Sequence, residues 1–282
     1  MSALTPLETL CETKRGKALR LPPTLARLYG TLRMPLPHGR PHIISNFVTT
    51  LDGVVSLNVK GHASGRDVSG FSQTDRMVMG LLRAIADVVI VGAGTLRVGP
   101  DHVWTAEYIF PDLADDYRRL RASVGKREPP LNVVVSASGE LDLGWRVFAS
   151  GEAPTLIVTT SAGAKRLRKQ TAPDSVTIRA VRSAGAIRAR TIINQVGKVR
   201  ASTLILVEGG PQLLADFYAQ HLLDEQFLTL APQLAGRDDS SERPGIVMGR
   251  TFAPRNPLWG TLVDARSGSS HLFLRYAFAG DG

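Results

Sequence analysis

Short apolar runs alternate with amphipathic stretches from residue 41 onward. Helical periodicity occurs at Gln73–Ala86, Ser161–Lys169, Ala186–Val199 and Pro211–His221. Between these stretches lie segments with the length and β-branched content of strands: His42–Thr49, Asp87–Val91, Leu131–Ser136, Thr155–Thr159, Ser175–Val181 and Thr203–Glu208. Because continuous apolar runs such as Val88–Val91 suit strands buried on both faces, we expect a parallel sheet covered by helices.

The pattern changes after Leu222. Strand-like segments then follow one another without helices, at Gln226–Pro232, Gly245–Met248, Gly260–Ala265 and His271–Phe278, with a turn-rich break at Arg266–Ser270. We predict that these segments add an antiparallel edge to the sheet. Residues 1–40 are rich in proline and basic residues, with one amphipathic piece at Pro23–Tyr29. They predict an N-terminal arm that precedes a domain at 41–282.

Composition excludes several classes of protein. The chain has 282 residues, 43% of them hydrophobic, and no apolar run of membrane-spanning length, which predicts a soluble cytosolic protein without membrane contact. Its single cysteine, Cys11, cannot form an internal disulfide or a thiolate zinc site, and the histidines show no ligand spacing, so no metal site is predicted. The net charge of +9 favours anionic partners. Because no nucleic-acid-binding motif accompanies the basic runs, we expect a phosphorylated small molecule rather than nucleic acid.

The strongest local motif is the end of the run Leu204–Glu208, which leads through Gly209 and Gly210 into a helix that starts at Pro211. Free N–H groups and the positive end of a helix dipole form an anion site at such a point, and glycine allows a pyrophosphate to approach the backbone. An ordinary tight turn between a strand and a helix explains the same residues equally well.

Two further strands end in comparable motifs. Val91–Thr95 again places glycines after a strand, although Arg97 stands where a dinucleotide fingerprint would have its third glycine. Phe47–Gly53 runs into Asp-Gly, where Asp52 suits a turn cap better than a substrate contact. Glycine-bearing strand ends in one sheet predict a ligand crevice at the carboxyl ends of the strands.

These motifs, together with Leu82–Ala84, Leu223–Glu225 and Leu230–Gly236, occur in an order and spacing that resembles a known family. From residue 41 to 282 the chain resembles the reductase domain of the riboflavin-biosynthesis deaminase-reductases and, more broadly, the dihydrofolate-reductase-like superfamily. The resemblance implies a three-layer α/β/α fold and a homodimer. It also implies a reaction in which NADPH donates a hydride to the ribose C1′ of a phosphoribosylaminopyrimidine.

The resemblance further implies roles for individual residues. Arg83, Glu208 and Asp101 would face the substrate. Burial of the Glu208 carboxylate at the end of a strand is costly unless it has a partner, which favours a role for Glu208 in a binding site. Ser136 and Thr160 suit helix or turn capping as well as contact with the adenosine half. The implied cofactor contacts are Thr49, Thr50, Gly92, Gly94, Thr95, Ser136, Thr160, Gly209, Gly210, Pro211, Gln212 and Leu213.

The segment after Thr95 departs from the family pattern, because the downstream arginine that binds substrate phosphate is not in register and Asp101 replaces only one of two acids. The zinc-deaminase motif is absent as well. We therefore expect a stand-alone reductase that acts on 5-amino-6-(5-phosphoribosylamino)uracil or a similar heterocycle. Two alternatives remain. One is a dihydrofolate reductase, for which Asp75 would be the only candidate acid in the first helix. The other is a non-catalytic nucleotide- or nucleic-acid-binding protein, which steep salt dependence of binding would reveal.

Overall fold

A computed structural model describes residues 4–35, 39–183 and 185–278. The strands, in chain order, are β1 (Glu8–Glu12), β2 (Lys17–Ala18), β3 (Arg33–Met34), β4 (His42–Thr49), β5 (Val88–Gly92), β6 (Leu131–Ser136), β7 (Thr155–Thr160), β8 (Val176–Val181), β9 (Leu204–Val207), β10 (Glu225–Leu230), β11 (Gly260–Gly268) and β12 (His271–Phe278). The six strands predicted for the parallel block are confirmed, and each of their predicted ends lies within one residue of the observed end.

The helices are α1 (Pro23–Tyr29), α2 (Gly65–Val68), α3 (Gln73–Ile85), α4 (Ala93–Val98), α5 (Ala106–Ile109), α6 (Ala114–Ser123), α7 (Arg146–Ala149), α8 (Ser161–Leu167), α9 (Ala189–Gly197) and α10 (Pro211–Ala219). The Ser72 hydroxyl caps α3 by accepting the Asp75 N–H at 3.2 Å. Pro211 opens α10, where its missing N–H costs no helical bond. No helix within the described ranges is long and apolar enough to cross a membrane.

Ten strands form one sheet in the order β1-β11-β12-β10-β4-β9-β5-β6-β7-β8. The seven from β10 to β8 run parallel, while β12, β11 and β1 pair antiparallel. The predicted fold class, a mostly parallel sheet with an antiparallel C-terminal edge, is therefore confirmed.

Two parts of the predicted edge differ from the structure. β10 runs parallel to β4, with Leu228 opposite Phe47, because α10 returns the chain across the sheet in a crossover connection. The segment Gly245–Met248 is not a strand. Pro244 O, just before the segment, accepts the Val55 N–H at 3.0 Å, and Met248 N at its end donates to Pro211 O at 3.5 Å. Ile246 and Val247 pack on the core from a loop.

The apolar side chains of the sheet divide between two cores, one on each face. Along β5, Val89 and Val91 face a core shared with α1, α3 and α6, whereas Val88 and Ile90 face a core shared with α9 and α10. This alternation is the two-residue period of a strand, and burial on both faces explains why β5 is apolar throughout.

The described part of residues 1–40 packs on the domain instead of extending from it. β1 completes the antiparallel edge, and Leu25 and Leu28 of α1 are fully buried in the first core. Arg266 of β11 donates to Tyr29 O at 2.6 Å and to Thr31 O at 2.8 Å. The predicted N-terminal arm is therefore packed against the domain, and a residue that holds it, Arg266 of β11, lies at the far end of the sequence. A separate domain over 41–282 stays a prediction.

Candidate functional site

The carboxyl ends of β5 and β9 meet at a tight contact between two glycines. The last bond between the two strands runs from Glu208 N to Ile90 O at 2.9 Å. A Cβ on Gly209 would lie 3.1 Å from Gly92 N and 2.4 Å from Leu213 Cδ2. Only glycine therefore lets the two backbones approach this closely.

This junction also presents N–H groups that no part of the described chain uses. The amides of Leu213 and Leu214 both donate to Gly210 O, at 3.0 and 3.1 Å, whereas those of Gly209, Gly210 and Gln212 have no acceptor among the described residues. They lie at the N-terminus of α10, where the helix dipole favours negative charge. The junction therefore has the N–H donors and the positive electrostatic potential that an anion site requires.

Thr95 borders the same junction. A Cβ on Gly210 would lie 3.7 Å from Thr95 Oγ1, and Gly94, in the first turn of α4, is exposed with open space around it. The structure thus brings together Gly92, Gly94 and Thr95 with residues 209–213. Leu213 contributes packing, since its amide is already bonded.

The hydroxyls at the end of β4 point into their own turn. Thr49 Oγ1 donates to Val54 O at 3.2 Å, and Thr50 Oγ1 donates to Asp52 Oδ1 at 2.5 Å while it accepts the Val54 N–H at 2.9 Å. Asp52 also accepts the amides of Ala235 and Gly236, and these bonds lower the pKa of its carboxyl to about 2. Asp52 is a turn cap, as the sequence indicates. Its bonds to the Ala235 and Gly236 amides also hold the loop after β10 in place.

Ser136 and Thr160, at the ends of β6 and β7, have comparable internal partners. Ser136 Oγ accepts the Gly139 N–H at 3.1 Å. Thr160 Oγ1 donates to Ala137 O at 2.7 Å and caps α8 through the Gly163 N–H at 3.1 Å. Both hydroxyls therefore shape the loop over the ends of these strands, so a contact with the cofactor stays a prediction.

Arg83 and Glu208, the two residues expected to face the substrate, bond to each other. Arg83 Nη2 lies 2.7 Å from Glu208 Oε2, and Arg83 Nε lies 3.1 and 3.2 Å from the two carboxylate oxygens. A further bond joins Arg83 Nη1 to Thr105 O at 3.3 Å. Their side chains are only 1% and 5% exposed, so each charge is compensated mainly by the other. Arg83 is largely committed to holding Glu208.

A second carboxyl lies near this pair. Asp75, in the first turn of α3, is 4% exposed and forms no salt bridge with any described residue. Burial raises its pKa to about 6, and the nearby charge of Glu208 adds to the rise, while the Thr229 hydroxyl and His271 oppose it. The Asp75 carboxyl therefore binds a proton more tightly than an ordinary aspartate does.

Comparison with known proteins places this arrangement in a family. The family model for the RibD C-terminal domain matches residues 41–262. The chain belongs to the RibD C-terminal domain family. The match covers the strand ends of the crevice and the Arg83–Glu208 pair, so the expected family is confirmed.

Relatives within the RibD group are distant. The riboflavin biosynthesis protein RibD of Aquifex aeolicus is 23% identical over 209 residues, which are 73% of this chain and 51% of that protein. The chain spans about half the length of the curated relatives it matches. A pyrimidine reductase-like protein from Corynebacterium diphtheriae has the same fold, with a TM-score of 0.65 and 20% identity over 86% of this chain and 93% of that one. The bifunctional deaminase and 5-amino-6-(5-phosphoribosylamino)uracil reductase of Thermotoga maritima has a TM-score of 0.62 and 19% identity, over 85% of this chain and 57% of that one.

Asp101, the third residue expected at the substrate, lies in a loop after α4 and is exposed. No hydrogen bond or ion pair links it to Arg83 or Glu208. In the same loop, His102 packs between the rings of Trp104 and Tyr108, at centroid distances of 4.6 and 4.7 Å. This RibD-type chain therefore fills the segment that departs from the family pattern with a cluster of aromatic rings.

Sequence reasoning did not foresee the group around Asp75. Thr229 and His271 come from β10 and β12, far along the chain from α3, and neither forms part of a motif. One signal was available, because Thr229 is a polar residue inside a strand that is otherwise apolar at Phe227, Leu228 and Leu230. Among the described residues, no cluster of His, Cys, Asp and Glu could hold a metal ion.

Proposed function

We propose that the protein is an NADPH-dependent oxidoreductase that reduces a phosphoribosylated pyrimidine, with 5-amino-6-(5-phosphoribosylamino)uracil as the first substrate to test. One observation carries the proposal. In a chain of the RibD C-terminal domain family, Gly209 closes against Gly92 beside amides at the N-terminus of α10 that have no acceptor in the described part of the chain. The reaction is that of the Thermotoga maritima relative.

The junction suits a dinucleotide pyrophosphate. A side chain on Gly209 would fill the space against Gly92, and the amides of Gly209, Gly210 and Gln212 would donate to phosphate oxygens together with the Thr95 hydroxyl. When bound, NADPH would supply the hydride, and the protein would supply orientation.

Charge near the ends of β5 to β7 favours NADPH over NADH. Arg166 of α8 pairs with Glu140, and Arg97 of α4 lies close enough to act on the same carboxylate. Both arginines are exposed, so a 2′-phosphate could exchange places with Glu140. We expect the double variant Arg97→Ala/Arg166→Ala to lose most of the discrimination between the two cofactors.

The test has two stages. Fluorescence titration should show tighter binding of NADPH than of NADH, and absorbance should then follow NADPH oxidation by 5-amino-6-(5-phosphoribosylamino)uracil. With NADPH deuterated at the transferring position, product analysis should find deuterium at C1′. Binding without turnover would overturn the substrate, and absence of NADPH binding would overturn the whole proposal.

The resemblance also supports a homodimer. Light scattering should give twice the 30.4 kDa mass of one chain. A monomer that remains active would remove the dimer from the proposal.

A further inference from the structure

Asn46 is a polar residue in the interior of the sheet. Its strand, β4, pairs with β9 on one side and with β10 on the other, and the residue is only 8% exposed. The two-residue period of a strand puts Asn46 on the same face as Ile44, which packs in the core shared with α3. Burial of an amide in such a place is costly unless the amide has hydrogen-bond partners.

The protein supplies no such partner. Neither Oδ1 nor Nδ2 of Asn46 bonds to a described residue, and neither belongs to the fully buried atoms without a partner, so the amide reaches accessible space. Asn132 of β6 shows the contrast. Its fully buried amide accepts the Trp104 N–H at 3.0 Å and donates to Trp104 O at 3.3 Å and to Pro130 O at 3.2 Å. The Asn46 amide is therefore left free for a ligand.

The space that the Asn46 amide reaches is a hollow over β4. Val48, on the same face, is half-buried although its strand is paired on both sides. The helix α2 covers the end of this hollow, where a Cβ on Gly65 would lie 3.3 Å from Val48 Cγ1. The hollow lies toward the carboxyl end of β4, which is the edge of the sheet that holds the glycine junction.

Glu208 and Phe227 flank Asn46 on the two neighbouring strands. Ile44 is in register with Leu206, so the next residues on this face, Asn46 and Glu208, lie at the same level. On the other side, Phe227 is in register with Asn46. The Glu208 carboxylate, which is already paired with an arginine, only accepts hydrogen bonds. The hollow thus combines an acceptor, an apolar wall and an amide that both donates and accepts.

We propose that Asn46 binds the substrate heterocycle by pairing its amide with a cyclic amide edge in which N–H stands next to C=O. The inference rests on the proposed function and assigns recognition of its substrate to a residue outside the sequence motifs. Asn46 Nδ2 donates to the ring carbonyl, and Oδ1 accepts the ring N–H. A site that forms such bonds rejects a ring without them, because its own amide would stay unpaired. Asn46 is therefore a specificity-determining residue.

The first experiment compares the wild type with Asn46→Leu, which keeps the size of the side chain and removes its hydrogen bonds. With NADPH and 5-amino-6-(5-phosphoribosylamino)uracil, kcat/KM should fall at least tenfold, mainly through KM. The thermal midpoint of ligand-free Asn46→Leu should not fall, because the amide has no partner in the protein. Asn132→Leu is the matched contrast and should lower the midpoint, since Trp104 would lose both its bonds. A lowered midpoint with an unchanged KM in Asn46→Leu would overturn the proposal.

Binding of uracil keeps this inference separate from the proposed function, because uracil has the amide edge without ribose or phosphate. In NMR titrations, the side-chain amide signal of Asn46, assigned by its absence from Asn46→Leu, should shift when uracil is added. Asn46→Leu should bind uracil at least tenfold more weakly, and uracil methylated on both ring nitrogens should lose most of this difference. If these results hold while turnover fails, the reaction is wrong and the contact stands. If the signal does not shift or uracil binds both proteins equally, the contact is overturned.

Discussion

Arg83 and Glu208, 125 residues apart in sequence, form a buried ion pair in which Arg83 Nε and Nη2 both contact the carboxylate. The pair joins the last turn of α3 to the end of β9, beside the glycine junction. The main role of Arg83 in the structure is therefore to position Glu208. The motifs Leu82–Ala84 and Leu204–Glu208 thus meet in an internal contact.

Removing Arg83 should destabilise the fold strongly. Arg83→Met would leave Glu208 buried without its cation, a loss of about 3 to 5 kcal/mol in the free energy of unfolding. Urea titration measures this change. Arg119→Met removes an exposed arginine paired with Asp116 and should cost less than about 1 kcal/mol. Equal effects of the two variants would show that the buried pair contributes no more than a surface pair.

A methyl group on Gly209 should weaken cofactor binding. In Gly209→Ala the Cβ would press on Gly92 N and displace the Leu213 side chain into the junction. We expect at least tenfold weaker NADPH binding in a fluorescence titration. Gly197→Ala, near the end of α9, is the control, because its Cβ would meet nothing within 4 Å. Unaltered binding by Gly209→Ala would mean that the pyrophosphate lies elsewhere.

The N-terminal segment should behave as part of the core. Leu28 of α1 is 2% exposed, and its truncation in Leu28→Ala should cost about 2 to 5 kcal/mol, as for other buried leucines. Leu10→Ala, at an exposed position of β1, should change stability by less than about 0.5 kcal/mol. If chemical denaturation showed a negligible effect of Leu28→Ala, the packing of the N-terminal segment in the core would be contradicted.

Asp75→Asn should stabilise the protein at high pH only. The folded-state pKa of Asp75, about 6, lies above its ordinary value of 3.8, so the folded protein binds the proton more tightly than the unfolded chain. The associated stability is present below pH 4 and is lost as the pH rises through 6, to a limit on the order of 3 kcal/mol. The thermal midpoint of Asp75→Asn should therefore exceed that of the wild type at pH 8 and match it at pH 4. A difference that does not vary with pH would contradict the raised pKa.

Much of the fold could be predicted because strand and helix periods are local properties of the chain. The boundaries of His42–Thr49 and Leu131–Ser136 agree with β4 and β6. The prediction of a strand at Gly245–Met248 was wrong, since a short apolar run indicates burial without showing whether strand pairing or loop packing supplies it. The packing of the segment before residue 41 could not be predicted for a related reason, because its pairing and bonding partners in β11 lie more than 200 residues away in sequence.

The site was predictable in part. The glycine junction lies in two short motifs, and the sequence by itself determined that Gly92 and Gly209 follow buried strands. Only the tertiary structure decided that these strands are neighbours and that Arg83 is bonded to Glu208. It also decided that Asp75, from α3, lies beside residues of β9, β10 and β12. Backbone conformation follows from nearby residues, whereas the charge state of a buried carboxyl depends on whichever distant groups the fold places around it.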